Sequence, residues 1–299
     1  MSISCEELFE STIEIEIPES LDRLVLISDI STLRDTVRFQ ITHSQNILDE
    51  NSDIVDLDLD RTEFMIRSAD KSYAPPLRHT DLPFFYEMDI LEEFFIPGTE
   101  VEIMLSNPLY PNLSARAKVA APPAASNFRY KVDAAKDFDG DDLDELSFDI
   151  DDDPGVENFY LVSAELLIVE RYDVLLGDLG DTTFFRKFLA EIYLVSDGIT
   201  IEEGSDGKVL FSDRSFSGQK FNIHIRSYGL PLVDGRKTLF VSVKSISHDR
   251  YLYEKSLGAL LLNDGNPFVE PANVHSNIEG GFGIFSIDAE VVSEVEIIR

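Results

Sequence analysis

Only one cysteine, Cys5, occurs in 299 residues, and tryptophan is absent. A lone thiol excludes an intrachain disulfide framework and any zinc site built from several cysteines. Cations are scarce: 25 Lys and Arg stand against 57 Asp and Glu, a formal net charge of −32. A chain this acidic repels phosphate at long range, which argues against nucleic acid and against a general affinity for anionic membrane surfaces. No apolar run approaches the ~18–20 residues of a membrane-spanning helix.

Catalytic motifs are equally thin. The five histidines, His43, His79, His224, His248 and His275, include no pair at the i, i+4 spacing of a helical zinc site and no H-x-E or H-x-H pair. His224, between Asn222 and Arg226 on the polar side of an alternating segment, reads as an exposed imidazole without a task. Ser217-Gly218 lacks the upstream glycine of a nucleophile elbow, and no phosphate-binding G-x-x-x-x-G-K-[ST] loop occurs. The cluster Gly280-Gly281-Phe282-Gly283 lacks the third spacing of a dinucleotide fingerprint and opens a strand, not a helix. With 57 acids, pairs of glycosidase type are too abundant to be a signal. No nucleophile, base and orienter assemble, so the chain is expected not to be an enzyme and to need no cofactor or metal.

What is present is alternation. Ile13, Ile15 and Ile17 alternate with Glu14 and Glu16; Val37, Phe39 and Ile41 follow the same rule. So do Val101, Ile103 and Leu105, then Phe221, Ile223 and Ile225, then Leu239, Val241 and Val243. A period of two sends one set of side chains inward and the other to water, the requirement of a half-buried antiparallel strand. Turn chemistry separates the strands at Pro97-Gly98, Asp153-Pro154-Gly155, Asp206-Gly207, Asp234-Gly235 and Asp264-Gly265. With 43% hydrophobic residues to fill a core, the pattern predicts a mostly β protein of two immunoglobulin-like β-sandwiches.

One segment has the other period. From Ser247 to about Leu262, Tyr253, Leu257, Leu260 and Leu261 fall on one helical face, with Ser247 as N-cap and Asn263-Asp264-Gly265 as stop. Gly258 interrupts it. Thr182 to Val195 is ambiguous between helix and strand. The Pro-Pro stretch Ala120–Ala125 reads as a linker, which divides the chain into an N-terminal sandwich over 1–121 and a β-rich domain with the helix over 122–299.

Acid concentrates between Asp133 and Asp153, with eleven carboxylates and one lysine. One reading is a solvated, self-repelling loop or strand edge. The other is a calcium loop over Asp137–Glu145, although the sharp-turn position is Asp142 and the bidentate position is Phe148.

Several stretches together resemble a known family. The run Asn266-Pro267-Phe268-Val269-Glu270-Pro271, followed by Val274-His275-Ser276-Asn277-Ile278-Glu279-Gly280-Gly281-Phe282-Gly283-Ile284-Phe285, resembles the closing signature of a Bacteroidota outer-membrane lipoprotein family, domain of unknown function 4249. Cys5-Glu6-Glu7 is similar to its mature N-terminus, Pro97–Val101 to a strand start, and Leu113–Ala117 to the end of its first domain. Asp153–Tyr160 resembles the start of its second domain, and Leu239–Ile246 into Tyr251-Leu252-Tyr253 its helix start.

The resemblance implies secretion, lipidation at a cysteine, here Cys5, and an outer-membrane, cell-surface address reached through the lipid anchor alone. It also implies an accessory or ligand-capture role beside a TonB-dependent transporter barrel; it brings no catalytic residues. The alternative is a free-standing glycan- or peptide-binding adhesion module without a transporter. Only Met1-Ser2-Ile3-Ser4 precedes Cys5, so the basic and apolar parts of a lipoprotein signal are expected upstream of this start. The glycine-rich motif is expected to close the second sandwich as its last strand, or else to form a contact lip on a partner barrel.

Overall fold

A computed structural model of the chain describes residues 22–33, 36–44, 56–69, 71–89, 94–175, 181–231, 235–263 and 273–298. Cys5, the Ile13–Ile17 alternation and Asn266–Pro271 lie outside the described residues. The architecture is mostly β, with one α-helix among the described residues.

The first half supplies β1 (Leu24–Asp29), β2 (Thr36–His43), β3 (Glu63–Ser68), β4 (Lys71–Tyr73), β5 (Arg78–His79), β6 (Phe85–Asp89), β7 (Glu100–Asn107) and β8 (Tyr110–Lys118). The second supplies β9 (Ala125–Lys136), β10 (Asp142–Asp151), β11 (Phe159–Leu175), β12 (Asp181–Ile192), β13 (Leu194–Val195), β14 (Glu202–Glu203), β15 (Val209–Ser212), β16 (Lys220–Tyr228) and β17 (Arg236–Ile246). Then come α1 (His248–Leu262), β18 (Ile278–Glu279), β19 (Phe282–Ile284), β20 (Ala289–Val295) and β21 (Ile297–Ile298).

Two sheets, ordered β19-β1-β2-β6-β5 and β18-β8-β7-β3-β4, enclose the first core. Val37, Phe39 and Ile41 of one meet Val101, Ile103 and Leu105 of the other in a single buried cluster, all at most 1% exposed. Two more, β13-β16-β10-β9-β21 and β14-β15-β11-β17-β20 with β12 beside β11, enclose the second. There Ile223 and Ile225 face Leu239, Val241 and Val243. The described alternating segments bury the sides that their periodicity assigns, each large buried side chain contributing about 1.5–3 kcal/mol of transfer free energy. One correction applies: Phe221, at the start of β16, is 39% exposed and stacks on Phe216 at 4.8 Å instead of entering the core.

Residues 278–298 decide the topology. β18 pairs antiparallel with β8, β19 parallel with β1, β20 antiparallel with β17, and β21 parallel with β9. One short stretch therefore adds a border strand to each of the four sheets. This corrects the expectation for the glycine-rich motif: Gly280 to Phe285 closes the first sandwich, not the second, and Ile278, Phe285 and Ile287 belong to the first core. Glycine is required there by contact and conformation. A Cβ on Gly280 (φ +76) would lie 2.1 Å from the Asn112 carbonyl oxygen, and one on Gly283 (φ +108) 2.0 Å from that of Leu26.

The helix starts where its cap was read: the Arg250 amide donates to Ser247 Oγ at 3.1 Å. Its buried side is rotated from the leucine stripe, to Tyr251, Tyr253, Glu254 and Gly258, while Leu261 and Leu262 are exposed. The cause is close backbone contact, since a Cβ on Gly258 would come within 2.7 Å of the Gly204 carbonyl oxygen. Only glycine lets the helix sit that near. The ambiguous segment Thr182–Val195 is strand up to Ile192, pairing residue by residue with β11 from Leu175↔Asp181 to Ala164↔Ile192, after which Leu194–Val195 pair with β16.

Candidate functional site

Where the closing stretch passes between the sandwiches, it carries a buried polar network. Ser28 Oγ of β1 donates to the Ser286 carbonyl at 3.0 Å and accepts from the Ser286 amide at 2.8 Å. Glu290 of β20 accepts from Ser31 Oγ at 2.6 Å and from Ser242 Oγ at 2.8 Å. Arg250 of α1 reaches the Ser28 carbonyl at 3.2 Å and pairs with Glu254 at 2.6 Å, and Ser205 Oγ donates to Glu254 at 2.5 Å. Asp288 accepts from Ser286 Oγ, and burial raises its carboxyl above the ordinary range, opposed by the charges of Arg250 and Lys244. These bonds join β1 of the first sandwich to β17, β20 and α1 through the closing stretch, so the network is a lock between sandwiches.

A second buried set orders the start of the second sandwich. Asp152 accepts from Tyr160 OH and Asn158 Nδ2, both at 3.0 Å, and from the Gly218 amide at 2.8 Å. Asn158 Nδ2 also donates to Asp213 at 3.0 Å. This gives the Asp153–Tyr160 motif a structural purpose: Asn158 ties the turn to both carboxylates.

Open space lies beside the lock. A cavity of about 280 Å³ is lined by Glu102, Ser114, Ala115 and Arg116 of the first sandwich, Asp249 in the first turn of α1, and Asn277 and Glu279 of the closing stretch. A neighbouring trough of about 530 Å³ shares Glu102 and Arg116 and runs over Arg67, Ser68, Ala69, Thr99 and Glu100. Arg116 binds Glu102 through Nε at 3.1 Å and through Nη2 at 3.0 Å, which raises its already high pKa. At the rim His275 Nε2 lies 2.9 Å from Asp249 Oδ1. Asn277 is held by its own side chain, which donates to the Phe285 carbonyl at 2.8 Å and accepts from the Phe285 amide at 2.9 Å. Three carboxylates against one guanidinium give the cavity a negative lining suited to cationic or hydrogen-bond-donating groups.

The residues singled out from sequence lie elsewhere. Cys5 falls outside the described residues. Asp137 caps the turn between β9 and β10, its Oδ1 accepting from the amides of Asp139 at 3.0 Å and Asp141 at 2.8 Å, while Lys136 pairs with Asp142 at 2.7 Å. Among the described residues no three His, Cys, Asp or Glu side chains converge as a metal site. His224 stands exposed on β16, 3.2 Å from Glu145. The cavity-lining residues come from four separate stretches; Ser114–Arg116 and Asn277 and Glu279 fall in stretches that carry the family resemblance, while no local pattern marked Glu102 or Asp249 as lining a site.

The curated proteins include no match to this chain. Among solved structures, the chain is similar to the B domain of a biofilm associated protein, with 6% identity over 91% of this chain and 86% of that one. The TM-score of that pair is 0.18, which carries no argument. The family described as domain of unknown function DUF4249 matches residues 10–293. With nearly its whole length so matched, the chain belongs to the DUF4249 family.

Proposed function

We propose that the chain is a non-enzymatic, lipid-anchored protein of the bacterial outer membrane, acylated at Cys5, that captures a ligand as accessory to a TonB-dependent transporter barrel. The address and the barrel rest on the resemblance to Bacteroidota lipoproteins; the match over residues 10–293 is to the domain of unknown function DUF4249. The capture role rests on the cavity of about 280 Å³ between the first sandwich and the start of α1, whose lining is carboxylate, guanidinium and amide. Such a lining holds a small polar ligand by hydrogen bonds and charge, and the polar lock beside it keeps the walls in register.

The test is purification from the native host in mild detergent, with intact-mass measurement of the N-terminus. A diacylglycerol-modified Cys5 together with a co-purifying barrel is the expected result. An unmodified Met1 in the soluble fraction, with no barrel, would overturn the reading. A lipidated chain without a barrel would favour the free-standing glycan- or peptide-binding module.

A further inference from the structure

The outward face of the hairpin β11–β12 has an unusual composition. Twelve residue pairs run through it without a bulge, and among the described strands β12 pairs with β11 alone. Alternation assigns its two sides: Phe188, Ala190 and Ile192 pack on the second core, so Phe185, Lys187, Leu189 and Glu191 point outward. Phe185 is 67% exposed and Leu189 61%.

Strand register extends this into rows across the sheet. Phe185 stands opposite Arg171; Lys187, Val169 and Arg236 form the next row; Leu189, Leu167 and Thr238 the one after; Glu191, Glu165 and Phe240 follow. Apolar side chains therefore sit beside two cations, Lys187 and Arg236, with Glu165 and Glu191 two rows away, on a molecule of net charge −32. Proline and bulges, two common defences of an edge strand, do not occur in β12.

We propose that β12 is a docking edge for an extended segment of another polypeptide, which adds to it as a strand and presents apolar, acidic and apolar residues at alternate positions opposite Phe185, Lys187 and Leu189. Directly opposed residues on neighbouring strands share a face, so Φ-x-[Asp/Glu]-x-Φ is the complement of this edge. Charge selects this occupant over two others. A second copy in the centred antiparallel register would set Lys187 against Lys187. An anionic lipid surface would meet Glu165 and Glu191 of the same face together with its cations, whereas an added strand sets its acid directly against Lys187. The proposal stands independently of the anchor and of the transporter.

The probe is a fluorescein-labelled, end-capped heptapeptide, TVTETVT, with TVTKTVT as its charge-swapped partner, each titrated into the full chain by fluorescence anisotropy. The expected result is binding of the glutamate probe roughly threefold to tenfold tighter than the lysine probe, the span of a cross-strand pair turned from attraction to repulsion. Lys187→Glu should invert that preference, which a misfolded variant could not do. Equal affinities, binding of neither probe, or a preference unchanged in Lys187→Glu overturns the proposal. So does Lys187-dependent binding of phosphatidylglycerol vesicles without peptide binding, or self-association in sedimentation velocity that excludes the probe.

Discussion

Replacing Gly283 with alanine tests whether the closing stretch holds the first sandwich together. The added Cβ would stand 2.0 Å from the Leu26 carbonyl oxygen, and the backbone there has φ +108. Neither neighbour is a flexible side-chain tip, so relief requires β19 to move off β1. That movement breaks the pairs Val25↔Phe282, Leu26↔Gly283 and Ile27↔Ile284 and loosens Ile284 and Phe285, both at 0% exposure. Backbone strain of about 1–3 kcal/mol, plus about 1.5–3 kcal/mol for one of those side chains leaving the core, gives a loss of about 2.5–6 kcal/mol. At about 2–4 °C per kcal/mol for domains of 150–250 residues, the melting temperature should fall by about 5–24 °C. Differential scanning calorimetry and urea titration read both quantities. Gly229→Ala, where a Cβ meets nothing within 4 Å, is the control and should stay within about 0.5 kcal/mol of wild type. A Gly283→Ala loss below about 1 kcal/mol would refute the reasoning, because strain alone accounts for that much.

Other consequences are as direct. Arg250→Ala leaves Glu254, at 2% exposure, buried without its guanidinium partner, and should cost about 3–5 kcal/mol in urea titration. Gly258→Ala raises intrinsic helix propensity yet should destabilise, by about 1–3 kcal/mol, because the methyl group meets the Gly204 carbonyl oxygen. Asp288 has a folded pKa above its unfolded value, so the folded state holds its proton longer and this group's contribution to stability declines as pH rises from about 4 through the folded pKa. Asp288→Asn removes that decline, so the variant should gain on wild type between pH 4 and 7; an unchanged difference across that range would contradict it. Asp149, held at a pKa of about 2 by hydrogen bonds from Asn127 and Asn222 and by Lys220, should titrate at the acid end of a carbon-detected NMR series. Its stabilisation is complete above the usual Asp range and is lost as pH falls through about 2. Asn222→Ala should move that titration upward.

Sequence alone determined that the alternating segments are strands and which face most of their apolar residues bury, because alternation is a local property of side-chain direction. Val37–Ile41, Val101–Leu105 and Leu239–Val243 are buried as their period of two requires. The helix start was legible in the same way, since Ser247 caps it through a bond to a residue three positions on. Phe184 to Leu189 was not legible, because apolar residues there stand on both sides of the strand, and two adjacent phenylalanines fit a helical stripe equally well. Membership of the family rested on scattered short motifs, and the match over 10–293 joins them.

Tertiary structure alone decided where those strands go. No local pattern says that 278–298 leaves the second sandwich, borders both sheets of the first and returns, because pairing partners are chosen by contacts some 160 to 260 residues away in sequence. The glycines at 280 and 283 announce a crowded backbone without naming the neighbour, which proves to be Asn112 for one and Leu26 for the other. The helix's buried side was settled by Gly204, and the cavity by four stretches that meet only after both sandwiches have closed. Strand formation is a short-range decision of side-chain alternation; the site is a long-range one, made when backbone carbonyls and buried carboxylates find their donors.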